Sequence, residues 1–322
     1  MEKYQAKGYI LEESVKKILK KQGYDKIPPN IQNYYNVEKG VGGDLKIKGR
    51  GAKHQIDALG QFGYPIPFVY PIRLLTEAKC LDDPVGIGVV RNFVGVLKDI
   101  SENYFIEEFD DLDEKQRGRF TDVAAIFSTS SFSKNAQMYA YAQGIFLVSC
   151  SHINDFIKDI YDSLKNENQI LTKEIIRNHF KNDFDPERKL NKIYFANLVG
   201  SYPILIKSRS SFPISLFRNR DEHPIKLTFQ GLDEHLNRIP KLNFKIIFND
   251  WEGEFKIPEY ILQKLVGKLN PEEILSFKEN YINSIEIPMV IGRVKRIISL
   301  KLDLEWINTL KRLYMKNQNL LR

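Results

Sequence analysis

Apolar residues along the first 150 positions alternate between the spacing of helices and the spacing of strands. Leu11, Val15, Ile18 and Leu19 recur at helical intervals, and Gly23 follows that run. Further helices are predicted at 89–100 and 133–143, the second capped by a glycine, and strands at 55–59, 68–80, 122–127 and 145–148. The resulting order, α, β, β, α, β, α, β, predicts a mixed α/β domain. Its last strand–helix–strand unit predicts a parallel strand pair.

The pattern changes after residue 153. Residues 154–184 are polar and helical, whereas the remainder is dominated by strand-like segments. We predict strands at 193–206, 214–217, 225–229, 244–248 and 286–302, with helices near 258–266, 271–281 and 306–314. The chain is therefore predicted to have an α/β domain at 1–152, a helical linker at 153–185 and a strand-rich α+β domain at 186–322.

Composition excludes several classes of protein. Hydrophobic residues make up 43% and charged residues 28% of the 322 positions, which is typical of a globular protein with a sizeable core. Two cysteines, Cys80 and Cys150, give neither a disulfide framework nor zinc-ligand spacing. No stretch approaches the ~18 apolar residues of a membrane span, and residues 1–9 lack the apolar block of a signal peptide. We expect a cytoplasmic protein with no membrane partner.

Positive charge is concentrated in the C-terminal part of the chain. From Pro186 onward there are 23 Lys and Arg against 15 Asp and Glu, whereas the first 185 residues hold 25 against 26. A basic module beside a neutral one suits a polyanionic partner such as DNA or RNA. A lysine-rich proteome gives the same excess, so charge alone does not decide between these explanations.

Candidate chemistry is concentrated on two predicted strands. Glu77 and Lys79 are two residues apart in Arg-Leu-Leu-Thr-Glu-Ala-Lys-Cys, so a strand places both on one face together with Leu75. Asp57 lies 20 residues upstream on the preceding strand, and the turn-rich segment 60–67 allows the two strands to pair antiparallel. Asp57 and Glu77 are then expected to converge.

A converging pair of carboxylates suits phosphodiester hydrolysis. The two acids would bind Mg²⁺ or Mn²⁺, which prefer oxygen ligands and lower the pKa of a bound water. Lys79 would orient the attacking water or stabilise the transition state by its charge. The alternative is a solvated Glu–Lys pair on a strand surface, because a Glu-x-Lys triplet by itself is common.

Six short segments, in the correct order, resemble the Mrr-like restriction endonuclease catalytic domain of the PD-(D/E)XK nuclease superfamily. Ile56 stands where the superfamily name has proline, and Lys53-His54 replaces small residues in the preceding loop. The matching segments are the opening helix 11–24, Gln55-Ile56-Asp57-Ala58-Leu59-Gly60, Thr76-Glu77-Ala78-Lys79-Cys80, the helix 90–97, the segment 127–136 and the strand 144–148.

The resemblance implies a restriction-endonuclease-like mixed sheet flanked by helices, followed by the second, strand-rich α+β domain. It implies a Mg²⁺-dependent deoxyribonuclease acting on double-stranded DNA, with a methyltransferase as a candidate partner. Cutting both strands with one active site per chain requires a homodimer. Asp57 and Glu77 would bind the metal and Lys79 would assist catalysis. Glu12 would supply an additional acid, although an acid in the first turns of a helix is also favoured as a solvated residue.

Several basic residues are candidates for DNA contacts. Arg91 lies where the family has an arginine in its helix, and Lys53 and His54 lie in the loop before Asp57. Lys207 and Arg209 are interleaved with aromatic residues, as in a nucleic-acid groove, or as in an ordinary strand with one polar face.

The sequence is also compatible with two other functions. One is a junction resolvase or repair nuclease of the same fold, and the other is a DNA-binding protein without catalytic activity.

Overall fold

A computed structural model describes residues 1–25, 36–39, 44–62, 67–103, 119–167, 170–181, 190–198, 202–212, 222–230, 243–248, 251–257, 271–291 and 294–320. The chain divides into two compact units, Met1–Leu190 and Asn191–Arg322. The helices of the described residues are α1 Lys3–Lys21, α2 Ile87–Ser101, α3 Lys134–Ala142, α4 Asn154–Glu167, α5 Lys173–Lys181, α6 Pro271–Tyr281 and α7 Leu304–Leu320.

Among the described residues, the first unit has two sheets and the second unit has one. The strands of the first unit are β1 Tyr24–Asp25, β2 Val37–Lys39, β3 Leu45–Lys48, β4 Lys53–Ile56, β5 Ala58–Phe62, β6 Ile72–Lys79, β7 Thr121–Ser128 and β8 Ile145–Ser149. Those of the second unit are β9 Ile193–Leu198, β10 Tyr202–Ser208, β11 Glu222–Gln230, β12 Asn243–Phe248, β13 Trp251–Lys256, β14 Ser284–Ile291 and β15 Val294–Leu302.

The main sheet of the first unit has the order β1-β5-β6-β7-β8. β5 pairs antiparallel with β6, with Ala58 opposite Thr76, which confirms the predicted pairing of these two strands. β6, β7 and β8 run parallel to one another, with α2 and α3 in the two connections. The parallel pair predicted from the last strand–helix–strand unit is therefore confirmed. Gly144, with φ of 68°, follows α3 in the left-handed conformation that glycine adopts most easily.

Helices cover the main sheet because their apolar residues fall on one side. Leu75 of β6 is fully buried in the same hydrophobic cluster as Val90 and Phe93 of α2. Helix α1 packs against β5 and β6 and buries eight of its residues, including the predicted Leu11, Val15, Ile18 and Leu19. The prediction of a mixed sheet flanked by helices is confirmed.

A smaller sheet, β2-β3-β4, lies in the chain between β1 and β5 of the main sheet. The segment predicted as one strand at 55–59 is in fact the end of β4 and the start of β5, separated by Asp57. β4 pairs with β3, whereas β5 pairs with β1 and β6. The chain changes pairing partners at Asp57, so this residue lies outside both ladders.

Residues 153–185 differ from the linker that the sequence predicted. Most of them form α4 and α5, which pack against α1 within the first unit. Their apolar positions are buried, including Ile160 of α4 and Phe180 of α5. The boundary between the two units falls at Leu190, beyond the predicted position at 185, because both helices have an apolar face that needs a partner.

The second unit is strand-rich, as predicted, and the seven strands that the structure describes there form a sheet that closes on itself. The predicted strands 193–206 and 286–302 are each two antiparallel strands, β9 with β10 and β14 with β15. Strand β13 was not predicted, and β11 pairs parallel with β15. Helix α6 matches its predicted bounds, and α7 extends beyond the predicted 306–314 at both ends. The predicted strand at 214–217 and helix at 258–266 lie outside the described residues.

Across the described ranges, no helix combines the length and the apolar character that crossing a membrane requires.

Candidate active site

Asp57 is positioned by the backbone of the neighbouring strand. Its N–H donates a hydrogen bond to the Thr76 carbonyl oxygen at 3.2 Å. Its carboxylate oxygen Oδ2 accepts a hydrogen bond of 2.7 Å from the Ala78 N–H. Because Ala78 lies between Glu77 and Lys79, this bond fixes the Asp57 carboxylate beside the segment that carries the other two predicted residues.

Glu77 and Lys79 share one face of β6 and contact each other as an ion pair, in which the Lys79 ammonium donates to Glu77 Oε1. Their side chains are 22% and 32% exposed, so solvent and a ligand can reach both groups. The end of β6 is held against the neighbouring strand by a 3.0 Å bond from the Thr129 N–H to the Lys79 carbonyl oxygen. Asp57, Glu77 and Lys79 therefore meet at the edge of the main sheet where its central strand, β6, ends.

The carboxylates at this edge interact unfavourably with one another. Burial raises the pKa of Asp57 to about 6, and the negative charge of Glu77 adds to the rise. The Ala78 N–H and the charges of Lys79 and Lys16 oppose it. A cluster of acids in a partly buried position is costly unless positive charge compensates it.

Glu12 of α1 belongs to the same cluster. Burial raises its pKa to about 8, and the negative charge of Asp57 contributes next, while Lys16 and Lys173 act in the opposite direction. The sequence predicted Glu12 as an additional acid, and the structure brings it within electrostatic range of Asp57. Its role as an additional acid stays a prediction.

The donor chemistry of the site fits a hard divalent cation. Asp57 and Glu77 offer carboxylate oxygens, and excess negative charge is the environment that Mg²⁺ or Mn²⁺ neutralises. The described part of the chain contains no group of three or more His, Cys, Asp or Glu side chains arranged to hold a metal ion. Two carboxylates are nevertheless the number that protein Mg²⁺ sites often supply, with water and substrate phosphate completing the coordination.

Four residues near this edge were not identified from the sequence. Lys16 follows Glu12 by one helical turn, so its position on α1 could have been noticed from spacing alone. Lys173 and Arg177 come from α5, in the segment predicted as a linker, and both lie over the ring of Tyr9 of α1. Local sequence carries no signal that brings α5 to this position.

The other predicted residues of the first unit have partners of their own. Lys53 forms a 2.7 Å ion pair with Glu38 on the small sheet, and the guanidinium of the exposed Arg91 lies 5.7 Å from the centre of the Tyr139 ring. His54 Nε2 lies 2.7 Å from Asp99 Oδ2. The hydrogen bond from His54 lowers the pKa of Asp99, as do backbone N–H bonds. In the described structure, these partners of Lys53, His54 and Arg91 are not Asp57, Glu77 or Lys79.

Lys207 and Arg209 belong to the second unit. Lys207 is exposed on β10, opposite Glu254 of β13 in the strand register. Arg209 is 76% exposed and pairs with Glu252 at 3.2 Å, and Lys245 pairs with the same carboxylate at 2.7 Å. Their interaction with DNA stays a prediction.

Comparison with known proteins does not assign the chain to a family. No protein-family model matches the chain, and no curated protein matches it. The crystal structure of a protein of unknown function, AF1548, is similar with 19% sequence identity and a TM-score of 0.29. The match covers 44% of this chain and 58% of that chain, so this chain spans little more than half the length of the protein it matches.

Proposed function

We propose that the first unit is a Mg²⁺- or Mn²⁺-dependent endonuclease that hydrolyses phosphodiester bonds in double-stranded DNA. The observation that carries this proposal is the convergence of Asp57, Glu77 and Lys79. The Asp57 carboxylate lies 2.7 Å from the backbone nitrogen of Ala78, and the side chains on either side of Ala78 contact each other. Two acids and one lysine at a sheet edge form the set that the Mrr-like, restriction-endonuclease-like resemblance implies.

Asp57 and Glu77 would hold the metal ion. When bound, the metal supplies charge to neutralise the phosphate and a water of lowered pKa. The Ala78 N–H keeps one oxygen of Asp57 engaged and therefore fixes the direction of its carboxylate. A carboxylate fixed in this way loses little conformational freedom when it binds a ligand.

Lys79 would act on the phosphate. In the described structure its ammonium is held by Glu77, which keeps a positive charge beside the acids. Once the charge of Glu77 is shared with a metal, Lys79 can orient the attacking water or stabilise the negative charge that develops on the phosphate oxygens. This role requires a protonated lysine that can be reached from solvent, and the side chain is 32% exposed.

The restriction-type activity implies further partners. Double-strand cleavage with one site per chain suits a homodimer, and protection of the host's own DNA suits a partner methyltransferase. The second unit, where most of the excess positive charge lies, would help to bind or select DNA.

Plasmid cleavage tests the proposal. The purified full chain with Mg²⁺ should nick or cut supercoiled DNA, and a chelator should stop the reaction. Asp57→Ala and Lys79→Ala should each lower the rate by about 100-fold or more. The exposed α4 residues Asp162 and Lys158 provide matched controls, and Asp162→Ala and Lys158→Ala should cleave at the normal rate. Full activity in Asp57→Ala or Lys79→Ala would refute the assignment.

A further inference from the structure

Three cations from two helices surround the ring of Tyr9. The ammonium nitrogens of Lys16 and Lys173 lie 5.6 and 5.2 Å from the ring centre, and the guanidinium carbon of Arg177 lies 5.8 Å from it. Arg177 also donates a hydrogen bond to the Tyr9 hydroxyl. We call Lys16, Lys173 and Arg177 the Tyr9 cations. Three like charges around one ring repel one another, so an opposing charge must make the arrangement favourable.

Part of the opposing charge comes from carboxylates within the protein. Lys16 pairs with Glu13 at 2.9 Å, and Lys173 donates to both carboxylate oxygens of Asp44, at 2.8 and 2.7 Å. The positive charges of both lysines lower the pKa of Glu12, and the charge of Lys16 lowers the pKa of Asp57 as well. Lys16, one turn after Glu12 on α1, and Lys173 therefore lie within electrostatic range of acids of the candidate active site.

This position has a chemical consequence when a divalent cation is present. The metal would neutralise Asp57 and Glu77, and the attraction that these acids exert on nearby cations would fall. The lysines are one-third exposed, at 33% for Lys16 and 37% for Lys173, so a polyanion can reach both. Phosphate oxygens of a nucleic-acid backbone are the ligands that such a group of ammonium and guanidinium donors recognises.

We propose that the Tyr9 cations bind the DNA backbone beside the candidate active site, with helix α5 supplying two of the three charges. This inference rests on the proposed nuclease function and extends it. Helix α5 lies outside the segments that resemble the nuclease family, and the inference makes it part of the DNA-binding surface. Tyr9 holds the cations in place, and Asp44 competes with phosphate for Lys173.

A purely structural role for these residues gives a different expectation. If Lys173 served only to attach α5 to the rest of the first unit, breaking its ion pair from either side would have the same effect. Lys173→Met and Asp44→Asn would then both destabilise the protein and change DNA binding in the same direction. If Lys173 binds phosphate, only Lys173→Met weakens DNA binding, since Asp44→Asn releases the ammonium from its competing carboxylate.

The experiment measures binding of a fluorescently labelled DNA duplex to the full chain by anisotropy, with Ca²⁺ replacing Mg²⁺ to suppress cleavage, over a series of salt concentrations. Lys173→Met should weaken binding roughly 3- to 10-fold near 0.1 M salt and reduce the slope of log affinity against log salt by about 0.9. Asp44→Asn should bind as tightly as the natural chain or more tightly. Lys173→Arg should keep the affinity, and the matched control Lys158→Met should leave affinity and slope unchanged.

The outcomes separate this inference from the proposed function. Unchanged binding by Lys173→Met, or equal weakening by Lys173→Met and Asp44→Asn, would overturn the role of the Tyr9 cations while plasmid cleavage by the natural chain still supports the nuclease. A natural chain that neither binds the duplex nor cleaves plasmid would overturn both. Thermal unfolding of each variant shows whether a loss of binding comes from a loss of folding. If Lys173→Met does not fold, the DNA affinities of Lys173→Arg and Asp44→Asn test the inference instead.

Discussion

Asp57 illustrates how a single residue can be positioned by a change in strand pairing. It lies between β4 and β5, where the chain leaves one sheet and enters another. Its backbone is therefore not paired in the regular ladder of either sheet. Its N–H and its carboxylate instead bond to the backbone of β6, at Thr76 and Ala78. A residue in a continuous strand could not bond to the neighbouring strand through both groups in this way.

The three central residues could be predicted because their signals are local. Glu77 and Lys79 need only the two-residue period of a strand, and Asp57 needs only the antiparallel pairing of two consecutive strands. The Tyr9 cations could not be predicted, because Arg177 and Tyr9 are 168 positions apart and Lys173 and Asp44 are 129 apart. Their proximity depends on how α5 packs, which periodicity does not specify.

Lys21 is predicted to make the stability of the protein depend on pH. It lies at the end of α1 and donates a 2.9 Å hydrogen bond to the Leu190 carbonyl oxygen, and burial lowers its pKa to about 7. Between about pH 7 and the ordinary lysine value of about 10.4, the unfolded chain keeps this proton while the folded chain has lost it. The contribution of Lys21 to the free energy of unfolding therefore rises with pH across that range.

Urea unfolding of the natural chain and of Lys21→Met at pH 7 and pH 9.5 measures this effect. The stability of the natural chain relative to the variant should increase by about 1–3 kcal/mol between the two pH values. Lys17→Met, a change of charge one turn earlier on α1, is the control. A difference between the natural chain and Lys21→Met that stays constant with pH would exclude the linkage.

At the scale of elements, the strands and helices of the first unit follow from their periodicity. Helix α2 was predicted at 89–100 and extends over Ile87–Ser101, and the strand predicted at 122–127 is Thr121–Ser128. Elements of the second unit were merged where two strands form a hairpin, because the connections at 199–201 and 292–293 are short. The closed sheet could not be predicted, since β9 pairs with β14 and β11 with β15 across long stretches of chain.

Helices α4 and α5 are predicted to be required for folding of the first unit. They bury Phe156, Ile157, Ile160, Leu164, Ile176 and Phe180. A fragment ending at residue 152 would expose the surface of α1 that these helices cover, whereas a fragment of residues 1–190 would keep it covered. We expect cooperative thermal unfolding of the 1–190 fragment and none for the 1–152 fragment. Cooperative unfolding of the shorter fragment would mean that α4 and α5 are a true linker.

Gly253 of β13 tests the packing of the second unit. A Cβ added at this position would lie 2.7 Å from Trp251 Cη2 and 2.8 Å from Ile206 Cγ2, and both neighbours are fully buried. Gly253→Ala should therefore destabilise the second unit by about 1–3 kcal/mol, the usual cost of overpacking. Denaturant unfolding of a 191–322 fragment measures this change. Gly95→Ala in the full chain is the comparison: nothing lies within 4 Å of its added Cβ and alanine favours the helix α2, so this change should not destabilise the protein.

At the scale of the whole molecule, the division of charge matches the division into units. Residues from Pro186 onward carry eight excess positive charges, whereas the candidate catalytic residues all lie before residue 80. The separation was visible in the sequence, although the position of the boundary was not, because charge counts do not show which helices pack together. Under the proposed function, the first unit would cleave DNA and the second would increase the affinity for it.

Removal of the second unit tests that division. The 1–190 fragment should keep Mg²⁺-dependent cleavage at high protein concentration, but bind duplex DNA more weakly than the full chain. Because fewer phosphates would be neutralised, the dependence of its affinity on salt should also be shallower. An unchanged affinity and salt slope would show that the second unit takes no part in DNA binding.

Metal binding by the protein without DNA shows whether Asp57 and Glu77 form a metal site. Free Mn²⁺ gives an electron paramagnetic resonance signal that decreases when the ion binds, so titrating the full chain with Mn²⁺ counts the sites and measures their affinity. The account predicts one site that Mg²⁺ competes for, weakened at least about tenfold by Asp57→Asn and by Glu77→Gln, and unchanged by Asp162→Asn. No Mn²⁺ binding, or binding that survives both substitutions unchanged, would contradict it.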